Sequence, residues 1–232
     1  MVENNSKRYA IIVAGGSGKR FGSEVPKQFL QLDGKAVLMH SIEKFDKVGA
    51  HIVVVLPAEH QQMWIDMCKE SNFPVTHTIA TGGRTRFESV KNGIAAIENL
   101  CDGDLVAVHD GVRPLASAQL INRGYDTAQQ TGSAIPVVNP SDSIRQVLDG
   151  GSSKQLLRSS LRAVQTPQTF RAEWLLGAYD VEESPLFTDD ASVVESAGHR
   201  VTLVEGEATN IKITTPIDMI VATQLIKDGT AG

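Results

Sequence analysis

Two apolar patterns alternate along this chain. Short continuous apolar runs lie at Tyr9–Ala14, His51–Leu56 and Leu105–His109. Between them, apolar residues recur every three or four positions. The first pattern predicts strands buried on both faces, the second predicts helices. Strands at Tyr9–Ala14, His51–Leu56, Val75–Ile79, Leu105–His109 and Ala134–Val138 thus alternate with helices at Val37–Val48, Ala58–Ser71, Arg86–Leu100 and Ala118–Thr131. In the third helix Val90, Ile94 and Ile97 share one face. The order predicts an α/β fold, a Rossmann-like and mostly parallel sheet with helices on both faces. Ligands of such sheets bind at the carboxyl ends of strands. Gly15–Gly22, Thr81–Arg86 and Asp110–Pro114 each follow a strand, so three loops are predicted to meet on one edge.

The rhythm breaks between Asn139 and Gln165, where two short alternating segments flank Asp149-Gly150-Gly151. Asp-Gly and Gly-Gly are hairpin turn signals, and a projecting β-hairpin is predicted. A lone hairpin is marginal in water; docking on a second subunit would supply its packing. After Thr166-Pro167-Gln168 the α/β pattern returns. A helix is predicted from Thr188-Asp189-Asp190 through Ser196, ended by Gly198. Strands follow at Val201–Val204 and Asn210–Ile213, and Thr215-Pro216 opens a last helix.

Composition narrows the class. The 232 residues, 41% of them hydrophobic, suffice for one core, so the expectation is a single domain over 1–232 with residues 139–165 inserted as an arm. The net charge of −5 argues against a general nucleic-acid binder, because no global basic field exists; any phosphate site is local. Cys68 and Cys101 form no metal-like pair, which fits free thiols in a reducing cytoplasm. The polar start MVENNSKR is no signal sequence, and the apolar runs fall far short of the roughly 20 residues of a membrane helix.

The densest chemistry lies in Ala10–Leu30, AIIVAGGSGKRFGSEVPKQFL. Gly15, Gly16, Gly18 and Gly22 follow a strand, with Arg20 and Lys27 beside them. Glycines admit close backbone approach, and clustered amides form an anion nest. Together with two cations this points to a polyphosphate such as a nucleotide. Two familiar templates fail. The dinucleotide fingerprint would need glycine where Phe21 stands, and a P-loop would need glycine at Val13 and Ser or Thr at Arg20.

The loop AGGSGKRFGSEVPKQF resembles the signature of nucleotidyltransferases that activate a phosphorylated small molecule with a nucleoside triphosphate. Val108–Pro114 (VHDGVRP) resembles the VHDxxRP motif of the 2-C-methyl-D-erythritol 4-phosphate cytidylyltransferase family. Gly82–Val90 is similar to its GGxxRxxSV, Thr166–Gln168 to its TPQ, Thr188–Ser192 to its TDDAS, and Asn210–Thr214 to its NIKIT. These motifs run from Ala14 to Thr214 in family order.

The resemblance implies a fold of the nucleotide-diphospho-sugar transferase type and attack of a substrate phosphate on the α-phosphorus of CTP, with pyrophosphate leaving. Catalysis would then be positioning and charge neutralisation. It assigns the triphosphate to the Gly15, Gly16 and Gly18 amides and Arg20, and the α-phosphate in the transition state to Lys27 and Lys212. Cytosine would be read by Ala14, Gly15, Gly83 and Ser89. Asp110, Arg113, Thr166 and Thr188 would bind the polyol phosphate. Ser143 and Arg158, on the arm, would reach a partner's site in a homodimer. Mg²⁺ or another divalent cation is implied as cofactor, with Asp110 a possible ligand. His109 is expected to be structural, because a phosphate nucleophile is already ionised. Two departures stand out, Gly15 where many members of the family have Ala and Arg84 where some have Asp.

The expected activity is CMP transfer from CTP to 2-C-methyl-D-erythritol 4-phosphate, in isoprenoid precursor synthesis by the non-mevalonate route. A pentitol phosphate such as ribitol 5-phosphate is the nearest alternative acceptor. A non-catalytic nucleotide-binding regulator is the alternative of another class, and the joint presence of Lys27 and Lys212 weighs against it.

Overall fold

Three of the predicted strands are the most deeply buried segments of the chain. In the computed structural model, which describes residues 6–16 and 25–229, the first is β1 (Arg8–Val13). A small hairpin, β2 (Gln31–Leu32) and β3 (Lys35–Ala36), leads into α1 (Val37–Asp46). Then come β4 (His51–Leu56), α2 (Ala58–Glu70), β5 (Thr78–Thr81), α3 (Arg86–Ala95), β6 (Leu105–Asp110), α4 (Ala118–Thr131) and β7 (Ser133–Val138). The sheet runs β6-β1-β4-β5 with every neighbouring pair parallel. Side chains alternate across it. Ala10, Ile12, Val54, Leu56 and Ala107 pack with α1, α2 and α4. Ile11, Val53, Val55, Val106 and Val108 face the opposite way, where Phe87, Val90 and Ile94 of α3 cover them. Each fully buried Val, Leu or Ile contributes about 1.5–3 kcal/mol, so both faces of the sheet are firmly closed.

The predicted hairpin is present as β8 (Arg145–Val147) and β9 (Ser153–Gln155), antiparallel around the Asp149–Gly151 turn. Gly150 and Gly151 there have φ of 76° and 80°, which only glycine adopts readily. The chain returns through β10 (Ala163–Val164) and β11 (Gln168–Arg171), both antiparallel to β7. Between them lies the cis Thr166–Pro167 peptide. Strand β11 wedges between β7 and β6, so the sheet is mostly rather than wholly parallel. Its apolar pattern is weak because Gln168 and Thr169 are polar yet buried. Gln168 is satisfied by neighbours remote in sequence: its amide donates to Asp189 (2.9 Å) and accepts from the Ala191 N–H (2.8 Å). Helix α5 (Ala172–Tyr179) follows, then α6 (Asp190–Ser196), β12 (Leu203–Glu205) parallel to β7, and α7 (Pro216–Lys227).

Several boundaries differ from expectation. Residues 210–213 form no strand. Asn210 is fully buried and its side chain donates to the Thr166 carbonyl, while the Ile213 N–H goes to the Val112 carbonyl. Side-chain and isolated backbone bonds thus replace a ladder. The strand expected at Val75 starts at Thr78, where pairing with Val53 begins, and Val75 packs into the core instead. Helix α3 stops at Ala95, after which Asn99 at φ 57° turns the chain toward β6.

Candidate active site

The parallel strands bring the loops after β1, β5 and β6 to one edge, as the topology requires. Two adjoining cavities open there. The first, about 290 Å³, is lined by Ala14, Gly15, Gly16, Lys27, Gly83 and Ser89 among others. The second, about 330 Å³, is lined by Arg113, Gln165, Thr166, Gln168, Thr188 and Asp189. Arg86, Asp110 and Lys212 line both. Gly18 and Arg20 lie outside the described residues.

In the first cavity, Lys27 opens a 3-10 turn, Lys27–Phe29, whose next residue Gln28 is buried. The Gln28 amide donates to the Ala14 carbonyl at 2.7 Å, fastening the turn to the end of β1. The Lys27 ammonium donates to the Ile213 carbonyl at 3.0 Å. It therefore stands beside the segment carrying Lys212. Among the described residues, a Cβ on Gly15 or Gly16 would meet atoms no nearer than 3.9 Å and 3.8 Å, ordinary contact distances, and these neighbours leave room for alanine at position 15.

The far end of this cavity is built by the N-terminus of α3. Thr85 caps the helix by accepting the Glu88 N–H, and Glu88 folds back so that a Cβ on Gly83 would collide with its own. Gly83 is required there. The Ser89 hydroxyl donates to the Thr85 carbonyl and accepts the Gly83 N–H, so Ser89 shapes this loop through its backbone. The Arg84 guanidinium pairs with Glu88 at 3.1 Å and its side chain is 92% exposed. Its departure from aspartate leaves the position's backbone at the cavity and its charge in solvent.

Asp110, at the carboxyl end of β6, is the hub. Its Oδ2 lies 2.9 Å from the Lys212 ammonium and 3.4 Å from Arg113 Nε, and its Oδ1 lies 3.9 Å from Arg86 Nε. Burial works to raise its carboxyl, but the charges of Lys212, Arg86 and Arg113 overcome that and hold it well below the usual range. It is an ionised acceptor. Arg113 is fixed by donating also to the Asn210 carbonyl at 2.8 Å.

Behind the hub runs a buried chain of hydrogen bonds. The Asp110 N–H donates to the Thr166 hydroxyl at 3.0 Å, and that hydroxyl lies 3.2 Å from His109 Nδ1. His109 Nε2 lies 3.0 Å from the Arg113 carbonyl, which can only accept. Nε2 therefore carries the proton, and Nδ1 accepts from Thr166. Burial lowers His109 to about 4, so it stays neutral. This fits a structural rather than a basic role. Thr166 lines the second cavity, with its hydroxyl engaged in holding the Asp110 backbone.

Ser143 and Arg158 are exposed on the arm and line neither cavity. The Arg158 guanidinium donates to the Ser141 carbonyl at 2.8 Å. Among the described residues no cluster of three His, Cys, Asp or Glu side chains could hold a metal ion. A divalent ion on Asp110 would sit against three cations, so the residues present do not fit a protein-built Mg²⁺ site. Arg86 and Asp190 carried no assigned role in the sequence, though both are letters of its motifs. Their signal was the arginine in GGxxRxxSV and the second aspartate in TDDAS.

The family model described as 2-C-methyl-D-erythritol 4-phosphate cytidylyltransferase matches residues 9–228. A protein of that name from Bacteroides thetaiotaomicron is 49% identical over 222 residues, spanning 95% of this chain and 100% of the relative. One from Bacteroides fragilis is 47% identical, over 94% and 99% of the two chains. Among solved structures, the Thermus thermophilus enzyme of the same name superposes with a TM-score of 0.75 at 31% identity, over 95% of this chain and 99% of that one. The 4-diphosphocytidyl-2C-methyl-D-erythritol synthase of Anaerococcus prevotii gives 0.79 at 26% identity, over 96% and 99%.

Proposed function

The chain belongs to the 2-C-methyl-D-erythritol 4-phosphate cytidylyltransferase family, and on that premise we propose that it transfers CMP from CTP to 2-C-methyl-D-erythritol 4-phosphate. The observation that carries this reading is one carboxylate shared by two adjoining cavities and surrounded by cations from three loops. One cavity takes the nucleotide, with cytosine toward Ala14, Gly83 and Ser89. The other takes the polyol phosphate, its hydroxyls on Asp110 and its phosphate near Arg113 and Thr188.

In the reaction a phosphate oxygen of the acceptor bonds to the α-phosphorus of CTP. The bond from that phosphorus to the bridging oxygen breaks, and pyrophosphate carries the electron pair away. The protein needs no nucleophile. Lys27 and Lys212 neutralise charge that grows at the α-phosphate, and donors held in place do this better than water, which must reorganise. Gly15 and Gly16, with Gly18 and Arg20, hold the β- and γ-phosphates. Mg²⁺ enters as part of the substrate, bound by triphosphate oxygens.

The homodimer belongs to the same proposal. Val147, Leu148 and Leu157 on the arm are 78%, 43% and 71% exposed, and a second subunit would cover them. Arg158 and Ser143 would then complete the partner's polyol-phosphate cavity. Two free thiols suit a cytoplasmic setting, and among the described residues no helix is long and apolar enough to cross a membrane. The test is pyrophosphate release from CTP with Mg²⁺, comparing methylerythritol phosphate with ribitol 5-phosphate. Faster turnover of the former is expected; a clear preference for ribitol phosphate overturns the assignment.

A further inference from the structure

Arg86 is the first residue of α3, and it lines both cavities. Its guanidinium meets Asp190, the first residue of α6, in a two-pronged pair: Nη1 to Oδ1 at 2.7 Å and Nη2 to Oδ2 at 2.6 Å. Asp190 has no exposed surface. Tyr179, the last residue of α5, donates its hydroxyl to the same Oδ1 at 2.7 Å. The Tyr179 ring stacks on Phe87 with centroids 4.8 Å apart. A planar guanidinium gripped at two points cannot rotate, and two of its five N–H groups are spent on Asp190. Its Nε edge faces Asp110, toward the seam between the cavities.

Removing two charges from water is costly, and such a pair often adds little net stability. What it supplies here is orientation. It also joins the start of α3, which builds the Gly83 and Ser89 end of one cavity, to the start of α6, which carries Thr188 into the other.

We propose that Asp190 and Tyr179 are positioning residues that fix Arg86 as a donor at the seam, where its remaining N–H groups meet the phosphate oxygens that the two substrates bring together. Lysine could neutralise Asp190 from this place but could not grip it at two points and still present a fixed edge to a phosphate. The inference rests on the cytidylyl-transfer reading above.

The test compares wild type with Arg86→Lys, Arg86→Ala and Tyr179→Phe in the full chain. It measures kcat and KM for CTP and for methylerythritol phosphate, scaled to the folded fraction from thermal melts. Arg86→Lys is expected to lower kcat by about 100-fold, the scale of one lost transition-state donor, with each KM within about threefold. Tyr179→Phe keeps the stacked ring and is expected to lower kcat about threefold to tenfold with little change in melting. Guanidinium ion at millimolar concentration is expected to restore Arg86→Ala at least tenfold; if that variant does not fold, Arg86→Lys and Tyr179→Phe decide. Wild-type kcat per folded site in those two variants overturns the inference and leaves the functional reading intact. A folded wild type that releases no pyrophosphate overturns that reading, and the inference with it.

Discussion

The Lys212 ammonium lies 2.9 Å from Oδ2 of Asp110, and both residues line the two adjoining cavities at once. Asp110 retains Arg86 and Arg113 as neighbours when Lys212 is removed. Lys212→Ala is therefore expected to leave folding largely intact while lowering turnover by about 100-fold. Steady-state kinetics with a thermal melt on the same sample checks this. Unaltered kcat removes Lys212 from the chemistry.

Lys27 lines the first cavity beside the segment carrying Lys212, held by the Ile213 carbonyl and by the Gln28 anchor on Ala14. Lys27→Ala is expected to cost about 100-fold or more in kcat at saturating CTP. A change confined to the KM for CTP would show ground-state binding alone.

Arg158 lines neither cavity of its own chain. If the arm embraces a second subunit, Arg158→Ala inactivates the neighbour's site. A mixed dimer of an Arg158→Ala chain with a Lys27→Ala chain is then expected to retain one working site, made of an intact Lys27 and the partner's intact Arg158. Sites built within single chains would leave none. Dimers of wild type with Arg158→Ala are expected to show about half the activity of wild type, on simple site counting. Full activity at both sites of the latter dimer refutes the shared site.

His109 ties stability to pH. Burial depresses it from 6.5 to about 4. Below 6.5 the unfolded chain takes up a proton that the folded chain refuses, so stability falls as pH drops from 6.5 to 4. The full effect is on the order of 3 kcal/mol. Asp110 adds a second loss at lower pH. Its carboxyl is held below the usual range, so its contribution is present above the unfolded pKa and fades as pH falls beneath it. Urea unfolding between pH 4 and 7 is expected to show the first slope, and His109→Gln to flatten it. An equal slope in the variant rules His109 out as its source.

Gly93 marks where α3 crosses the sheet. A Cβ there would lie 2.6 Å from Ile11 Cγ2 and 2.9 Å from Val55 Cγ2. Both partners belong to fully buried strand residues, so the helix would have to shift. Gly93→Ala is expected to destabilise by about 1–3 kcal/mol, or roughly 2–12 °C in Tm for a chain of this size. An unchanged melt would mean that α3 moves freely.

Much of the fold was legible because its signals are local. The runs at Tyr9–Ala14, His51–Leu56 and Leu105–His109 are apolar on both faces, and that pattern has one common solution, an interior parallel strand. The Asp149–Gly151 turn and the Thr215-Pro216 helix start likewise carry their chemistry in adjacent residues. Strand β11 is illegible because Gln168 and Thr169 are polar yet buried, and Gln168 becomes buriable through partners far along the chain. Residues 210–213 misled for a similar reason. Alternating Ile211 and Ile213 look like a strand, but Asn210 and the Val112 carbonyl take up the bonds that a ladder would use.

The candidate site divides in the same way. The order of residues along the chain already supplies the chemical groups: glycines and lysines after the first strand, Asp110 and Arg113 after β6, Lys212 near the end. Motif order and residue chemistry suffice for that, because each motif is a short stretch of neighbours. Packing alone makes Asp110 serve two cavities, sets the Thr166 hydroxyl between the Asp110 N–H and His109, and lets Asp190, itself held by Tyr179, grip Arg86. Those relations join residues distant in sequence, and a hydrogen bond's direction or a guanidinium's orientation is set by packing that no local pattern encodes.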